Sequence, residues 1–255
     1  MKSPIKDPTA DFSKLASTVN EMVGTSKKIN SYLLFGGALE SALCNQGHQV
    51  SAHTSRYFVY EFWQCLLHNP RRIHDLLNSE FFKFDQNLFP ILQKNWHTYA
   101  DPFLRAAFFY ALNRGSDTGQ ISSGEITNND FNIIASNRLK RFKLDNFSVD
   151  WDQTDEWHES ILNHTSEDEF LLLPVGRFSY NLSDYGKNRG PETTVVNHRH
   201  LAHLLEGVSC PWIVLYRHHP QLLKLYERYQ IRCFDQYGEV THSSNQKSDV
   251  IIANF

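Results

Sequence analysis

The chain has 255 residues, with 25 Lys+Arg against 28 Asp+Glu and a formal net charge of -3. That length accommodates one large α/β domain or one domain carrying an insert, and the charge excludes a strongly basic nucleic-acid binder. No apolar run nears the ~18 residues of a membrane span and no targeting segment is visible, so the expectation is a soluble, cytoplasmic protein with no membrane partner. Cys44, Cys65, Cys210 and Cys233 form no CxxC pair, which suits thiols in a reducing compartment, with Cys65 and Cys233 expected to be buried.

Residues 1–12 carry two prolines and no apolar period, and read as a lead-in arm. Phe12, Leu15, Ala16, Val19, Met22 and Val23 stand at helical spacing, with Gly24 as the stop, and Lys27-Lys28 reads as a solvated turn. Tyr32-Leu-Leu-Phe-Gly-Gly-Ala-Leu39 predicts a short strand, a turn at Gly36-Gly37 and a helix start. In that arrangement backbone amides can meet a nucleotide-like ligand at a helix N-terminus, although a tight turn alone also asks for glycine.

Gln49–Thr54 predicts a second strand, Tyr57–Leu67 an aromatic-rich helix and Arg71–Leu77 a shorter one. Residues 80–100 read as part of a helical insert. Asp101-Pro102 is a helix start, and Phe103–Leu112 is apolar nearly all round and should be central. Asn113–Asn132 predicts a long exposed loop. Ile133–Phe142 predicts a helix with Arg138, Lys140, Arg141 and Lys143 at its end, then Phe147–Trp151 a strand and Glu156–Leu162 a helix.

Glu169-Phe-Leu-Leu-Leu-Pro-Val-Gly176 is an apolar run closed by turn residues, the pattern of a strand buried on both faces of a parallel sheet. Ligands in open α/β sheets bind beyond the carboxyl ends of such strands, yet Leu173, Pro174, Val175 and Gly176 cannot move a proton or hold a metal. A polar loop over 179–192, a helix over Asn197–Leu205, a strand over Trp212–Tyr216, a helix over Gln221–Tyr229 and strands over Ile231–Phe234 and Val250–Phe255 complete the chain. Strands alternating with helices argue for a mostly parallel sheet covered on both faces. The α/β core is expected over 1–56 and 133–255, with 57–132 as a helical insert and a substrate-recognition-like loop.

Taken in this order, the chain resembles the Dam-like DNA adenine methyltransferases, which carry the motif Asp-Pro-Pro-Tyr and transfer a methyl group from S-adenosylmethionine to adenine. The resemblance runs through Tyr32-Leu-Leu-Phe-Gly-Gly, Phe58–Ile73, Arg105-Ala-Ala-Phe-Phe-Tyr-Ala-Leu-Asn113, the loop 115–125, Asp150-Trp151, His200–Leu205, His219-Pro220 to Tyr226 and the ending Ile-Ile-Ala-Asn-Phe255. It implies a Rossmann-like methyltransferase fold, cofactor contacts at Gly36, Gly37, Asp150 and Trp151, and S-adenosylmethionine as the cofactor.

The departures fall on the chemistry. In the family an acidic side chain at the end of the buried strand accepts hydrogen bonds from the target amine, and a Tyr stacks on the flipped base. Here those positions are Leu173, Pro174, Val175 and Gly176. Leu34 replaces an acidic residue of the glycine motif, and His53-Thr54 replaces the pair whose carboxylate holds the cofactor ribose. The Gly-Gly-Lys element near the N-terminus is absent, Lys14 being the nearest Lys. Single electrostatic groups of this kind contribute about 2.7 to 4 kcal/mol, so losing acceptor and stacking ring together should abolish the reaction.

The expectation is therefore a catalytically inactive relative acting as a binding or scaffolding subunit, with no cofactor and with a protein partner or assembly. S-adenosylmethionine and nucleic acid stand as the alternative ligands, the latter through Arg114, Lys140, Arg141, Lys187 and Arg189. Two other readings are a working adenine methyltransferase whose acceptor is Asp150, Glu169 or Asp184, and a structural component of a viral or bacterial assembly. His198, His200 and His203 invite a metal reading, but no Cys or carboxylate stands at ligand spacing. Ser179, Asp184 and His203 lack the elbow that would place a nucleophile.

Overall fold

A computed structural model describes residues 3–8, 11–79, 88–125, 127, 131–152, 157–163, 168–178 and 196–255. Its centre is a seven-stranded sheet in the order β3-β2-β1-β4-β5-β7-β6. The strands are β1 (Lys28–Ser31), β2 (Gln49–Thr54), β3 (Phe147–Trp151), β4 (Glu169–Gly176), β5 (Trp212–Arg217), β6 (Gln230–Phe234) and β7 (Asp249–Ala253). Strands β1 to β5 run parallel, and β7 enters antiparallel between β5 and β6. This is the expected α/β, Rossmann-like architecture, and its strand order is that of the methyltransferase-type fold.

The two-residue period of the strands sends their side chains to two separate cores. From β4 and β5, Leu171, Leu173, Val175, Trp212, Val214 and Tyr216 pack against α8 (Trp157–Leu162), α9 (His198–Leu205) and α10 (Pro220–Leu225). The alternate residues Phe170, Leu172, Ile213 and Leu215 pack against α1 (Ala16–Val23) and α2 (Ala38–Asn45). The unbroken apolar run of β4 from Phe170 to Val175 is thus explained by helices on both faces.

Further along, Ala52 of β2 and Val149 of β3 pack under α3 (Tyr57–His68). Beyond α3 lie α4 (Pro70–Leu77), α5 (Phe89–Asn95), α6 (Pro102–Gly115) and α7 (Ile133–Lys140). Helix α6 is buried from Ala106 to Asn113, as its all-round apolar surface requires. It starts as expected, with Asp101 accepting from the Phe103 amide and Pro102 in the first turn. Arg105 bridges it to α3, its Nε 2.7 Å from Glu61 Oε1.

Four local expectations are corrected. The first strand is Lys28–Ser31, not Tyr32–Phe35, because Ile29 pairs with Val50 and Phe170 on either side, while Leu33 takes a left-handed φ of 67° and ends the extended run. Lys28 is therefore a strand residue bonded to Glu169, not part of a turn. The stretch after α6 is no exposed loop throughout, since Gly119 and Ile121 are buried. Cys233 is half-buried; Cys44, Cys65 and Cys210 are buried, and all four are free thiols.

The lead-in arm carries no apolar period, yet Ile5 is 2% exposed. It is held by Asn113, whose Oδ1 accepts from the Lys6 amide at 2.7 Å and whose Nδ2 donates to Lys6 O at 2.9 Å and Gly119 O at 2.7 Å. Near the other end of the chain, Asp249 is fully buried between Arg217 (2.7 Å) and Lys14 (2.6 Å). The Lys14 contact is a pure ion pair; its directed hydrogen bond goes to Gln236 O at 2.9 Å. The one Lys near the missing Gly-Gly-Lys element is thus committed to joining the chain ends.

Two predictions follow from these buried polar groups. Replacing Asn113 by Ala strands three backbone groups, each hydrogen bond contributing about 1 kcal/mol. Urea unfolding should show a loss of roughly 2 to 3 kcal/mol, and a loss under ~0.5 kcal/mol would mean that the arm is not held this way. Glu40 is 3% exposed and burial raises its carboxyl above the ordinary 4.5, while the Ser31 hydroxyl bonded to it pulls the other way. A raised folded value means that this group's contribution is complete below pH 4.5 and is lost as pH climbs through the raised value. Glu40→Gln should therefore melt at a higher temperature than the parent at pH 8, with the gap closing toward pH 4.5.

Candidate functional site

The carboxyl ends of β1 to β5 share one edge of the sheet, where α/β proteins bind ligands. At the end of β1, the Gly36 amide donates to Asp7 Oδ2 at 3.1 Å and its carbonyl accepts from the Ser3 hydroxyl. The arm thus places its own carboxylate on an amide of the glycine turn. A Cβ on Gly36 would lie 2.9 Å from Asp7 Cβ, and one on Gly37 (φ 64°) would lie 2.5 Å from Trp63 Cζ2. Both glycines are required by close packing, which is the plainer of the two roles their sequence admitted.

The turn is pinned from the β2 side as well. Arg56 is 8% exposed, and its Nη2 donates to Leu33 O at 2.8 Å and Leu34 O at 2.6 Å while its guanidinium lies 5.0 Å from the Phe35 ring centre. The Leu34 amide donates to His53 O at 3.0 Å, and Trp63 Nε1 to Phe35 O at 2.9 Å. Between Asp7, Gly37, Glu40 and Pro174 there remains a cavity of about 10 Å³, against ~300 to 1,000 Å³ for ordinary small-molecule sites. The Gly36 amide is thus taken by Asp7, while the larger space beside the turn, about 520 Å³, lies on the side of Asp7, Asp11 and Ala38.

At the end of β4, Leu173 is 0% and Val175 6% exposed, both inside the core against α8 to α10. Pro174 is half-buried, and pairing with β5 shifts register between Pro174 and Gly176. None of the four side chains can accept a hydrogen bond from an amine.

Asp150 and Trp151 end β3, which is separated from β1 by β2 and so by about 10 Å of sheet. The strand period sends them to opposite faces. Asp150 Oδ2 accepts from the Ser51 hydroxyl at 3.0 Å, while Trp151, 37% exposed, sets its ring centre 4.9 Å from Tyr57 and 6.3 Å from Tyr60. Both stand on the same carboxyl edge of the sheet as the Gly36-Gly37 turn, two strands away. In place of a ribose-binding carboxylate, His53 stacks on Tyr32 at 4.5 Å and sets Nδ1 3.5 Å from Asp152 Oδ1.

The basic residues divide. Arg114 and Arg141 line one cavity of about 450 Å³ together with Arg138. Lys140 does not line it, and Lys187 and Arg189 lie outside the described residues, as do Ser179 and Asp184. The cavity lies between the arm at Ser3-Pro4, α6 at Tyr110, α7 at Leu139 and Phe142 just beyond the end of α7. Burial pushes the Tyr110 hydroxyl up to about 12, and Arg114 and Arg138 draw it down. Arg138 and Tyr110 were absent from the sequence-based site. Their signal was the spacing: Tyr110 and Arg114 are four apart, Arg138 and Arg141 three apart, so each pair shares a helix face.

The histidines do not converge. His198 is buried with Nδ1 3.2 Å from the Tyr216 hydroxyl, whereas His200 and His203 are exposed, His203 beside Glu206. Among the described residues no group of three His, Cys, Asp or Glu could hold a metal ion, and no helix is long and apolar enough to cross a membrane.

No protein-family model and no curated protein matches this sequence. Among solved structures, the chain is similar to a TehB-like SAM-dependent methyltransferase from Corynebacterium glutamicum, with 9% identity over 95% of this chain and 87% of the other and a TM-score of 0.41. It is also similar to the glycopeptide N-methyltransferase MtfA in complex with S-adenosyl-L-methionine, with 7% identity over 96% and 94% of the two chains and a TM-score of 0.34. Both likenesses are too distant to carry an argument about chemistry, and neither points to the DNA adenine family in particular. The fold assignment rests on strand order and register.

Proposed function

We propose that this chain is a non-catalytic relative of the S-adenosylmethionine-dependent methyltransferases that acts as a binding or scaffolding subunit. The observation that carries this reading is the end of β4, where Leu173 and Val175 are buried in the core at the positions where an amine acceptor would stand. The filled glycine turn supports it, because Asp7 takes the amide and Arg56 the carbonyls beside it. The narrower descent from DNA adenine methyltransferases is supported by the sequence resemblance alone.

A rebuilt active site finds less support. Asp150, on β3, accepts from Ser51 of β2, and Glu169 stands at the opposite end of β4 beside Lys28 and Asn30, four residues and thus ~13 Å from Leu173.

Methyl transfer from radiolabelled S-adenosylmethionine to DNA and RNA should stay at background, and calorimetry with millimolar S-adenosylmethionine should give no binding heat. Incorporation that disappears in an Asp150→Ala variant would overturn the proposal. Returning a carboxylate to the motif should not restore chemistry: Leu173→Asp exchanges a fully buried Leu for a charge in an apolar core, at a cost of about 4 kcal/mol or more in urea unfolding.

A further inference from the structure

We propose that the cavity between the arm, α6 and α7 binds a small phosphorylated ligand with a flat apolar body, of the size of a nucleoside monophosphate. Three arginines, Arg114, Arg138 and Arg141, line it, and among the described lining residues there is no carboxylate. A concave wall carrying one sign of charge concentrates ligands of the opposite sign. Guanidinium is also the side chain whose planar fork grips phosphate oxygens in pairs.

The rest of the wall is of another kind. Half-buried Pro4 and the margins of the buried Leu139, Phe142 and Tyr110 form the apolar remainder of the wall, against which the uncharged part of a ligand can be desolvated. At about 450 Å³ the volume falls within the range of small-molecule sites. Helix α7 is held at the end of α4, Asn78 Nδ2 donating to the Ser136 hydroxyl at 3.0 Å, so Arg138 sits on a braced helix and Arg141 directly follows it.

A neighbouring cavity of about 520 Å³ shares Ser3 and Arg114 as a wall but is also lined by Asp7, Asp11 and Asp117. Those carboxylates would repel a phosphate, which assigns the anion to the arginine side. A long nucleic-acid strand fits less well, because Lys140 lies outside the cavity and the chain's net charge is -3. The inference does not depend on whether the chain binds a methyl donor.

The test is calorimetry on the full chain with AMP, adenosine and inorganic phosphate as probes. AMP should bind, with adenosine at least ~10-fold weaker. Arg138→Gln and Arg141→Gln should each weaken AMP ~10-fold or more. Both arginines are exposed, so the melting temperature should stay unchanged. Lys140→Gln should leave AMP binding as it is. The proposal is overturned if AMP gives no heat at millimolar concentration, if adenosine binds as well as AMP, or if neither arginine variant weakens it. A ten-nucleotide single strand that binds over 100-fold tighter than AMP and is weakened by Lys140→Gln would also overturn it, making the region an extended nucleic-acid surface.

Discussion

The contact between Asp7 and the Gly36 amide governs the geometry of the whole ligand edge. A glycine turn before a helix offers amides to an anion, and here the anion comes from the same chain. Once the arm lies across the turn, Ser3 is fixed on the Gly36 carbonyl, Ile5 is buried and Lys6 is clasped by Asn113. A ligand that took the Gly36 amide would have to displace Asp7 and with it the neighbouring arm contacts to Gly36 and α6.

The apolar end of β4 is consistent with that arrangement. A carboxylate there needs an open, polar surrounding, or burial disfavours its charge. Leu173 and Val175 extend the core that α8, α9 and α10 make against β4 and β5, and each adds burial where an acid would add a desolvation cost.

The strands and helices that carry the core were legible because their patterns are strong. Strands β4 and β5 read as continuous apolar runs, β2 as an alternation and α6 as a helix apolar on every side. What escaped was set by tertiary contact. Strand β1 shifted because Leu33 adopts a left-handed turn that leucine does not announce. The arm looked unstructured because a single isoleucine and an asparagine on a distant helix hold it. The arginine cavity was half visible: Arg114 and Arg141 stood out as charges, but only folding brings α6 and α7 together. Asp150 and Trp151, adjacent in sequence, are parted by the strand period and point away from each other.

The triad of Lys14, Asp249 and Arg217 has a consequence for the order in which the sheet can close. Its carboxylate sits on β7, the strand inserted between β5 and β6. Without β7 in place, β5 presents an open flank of backbone groups, and Lys14 and Arg217 have no shared counter-ion. Docking of this one strand therefore completes the ladder on both its sides and neutralises the two cations in the same step.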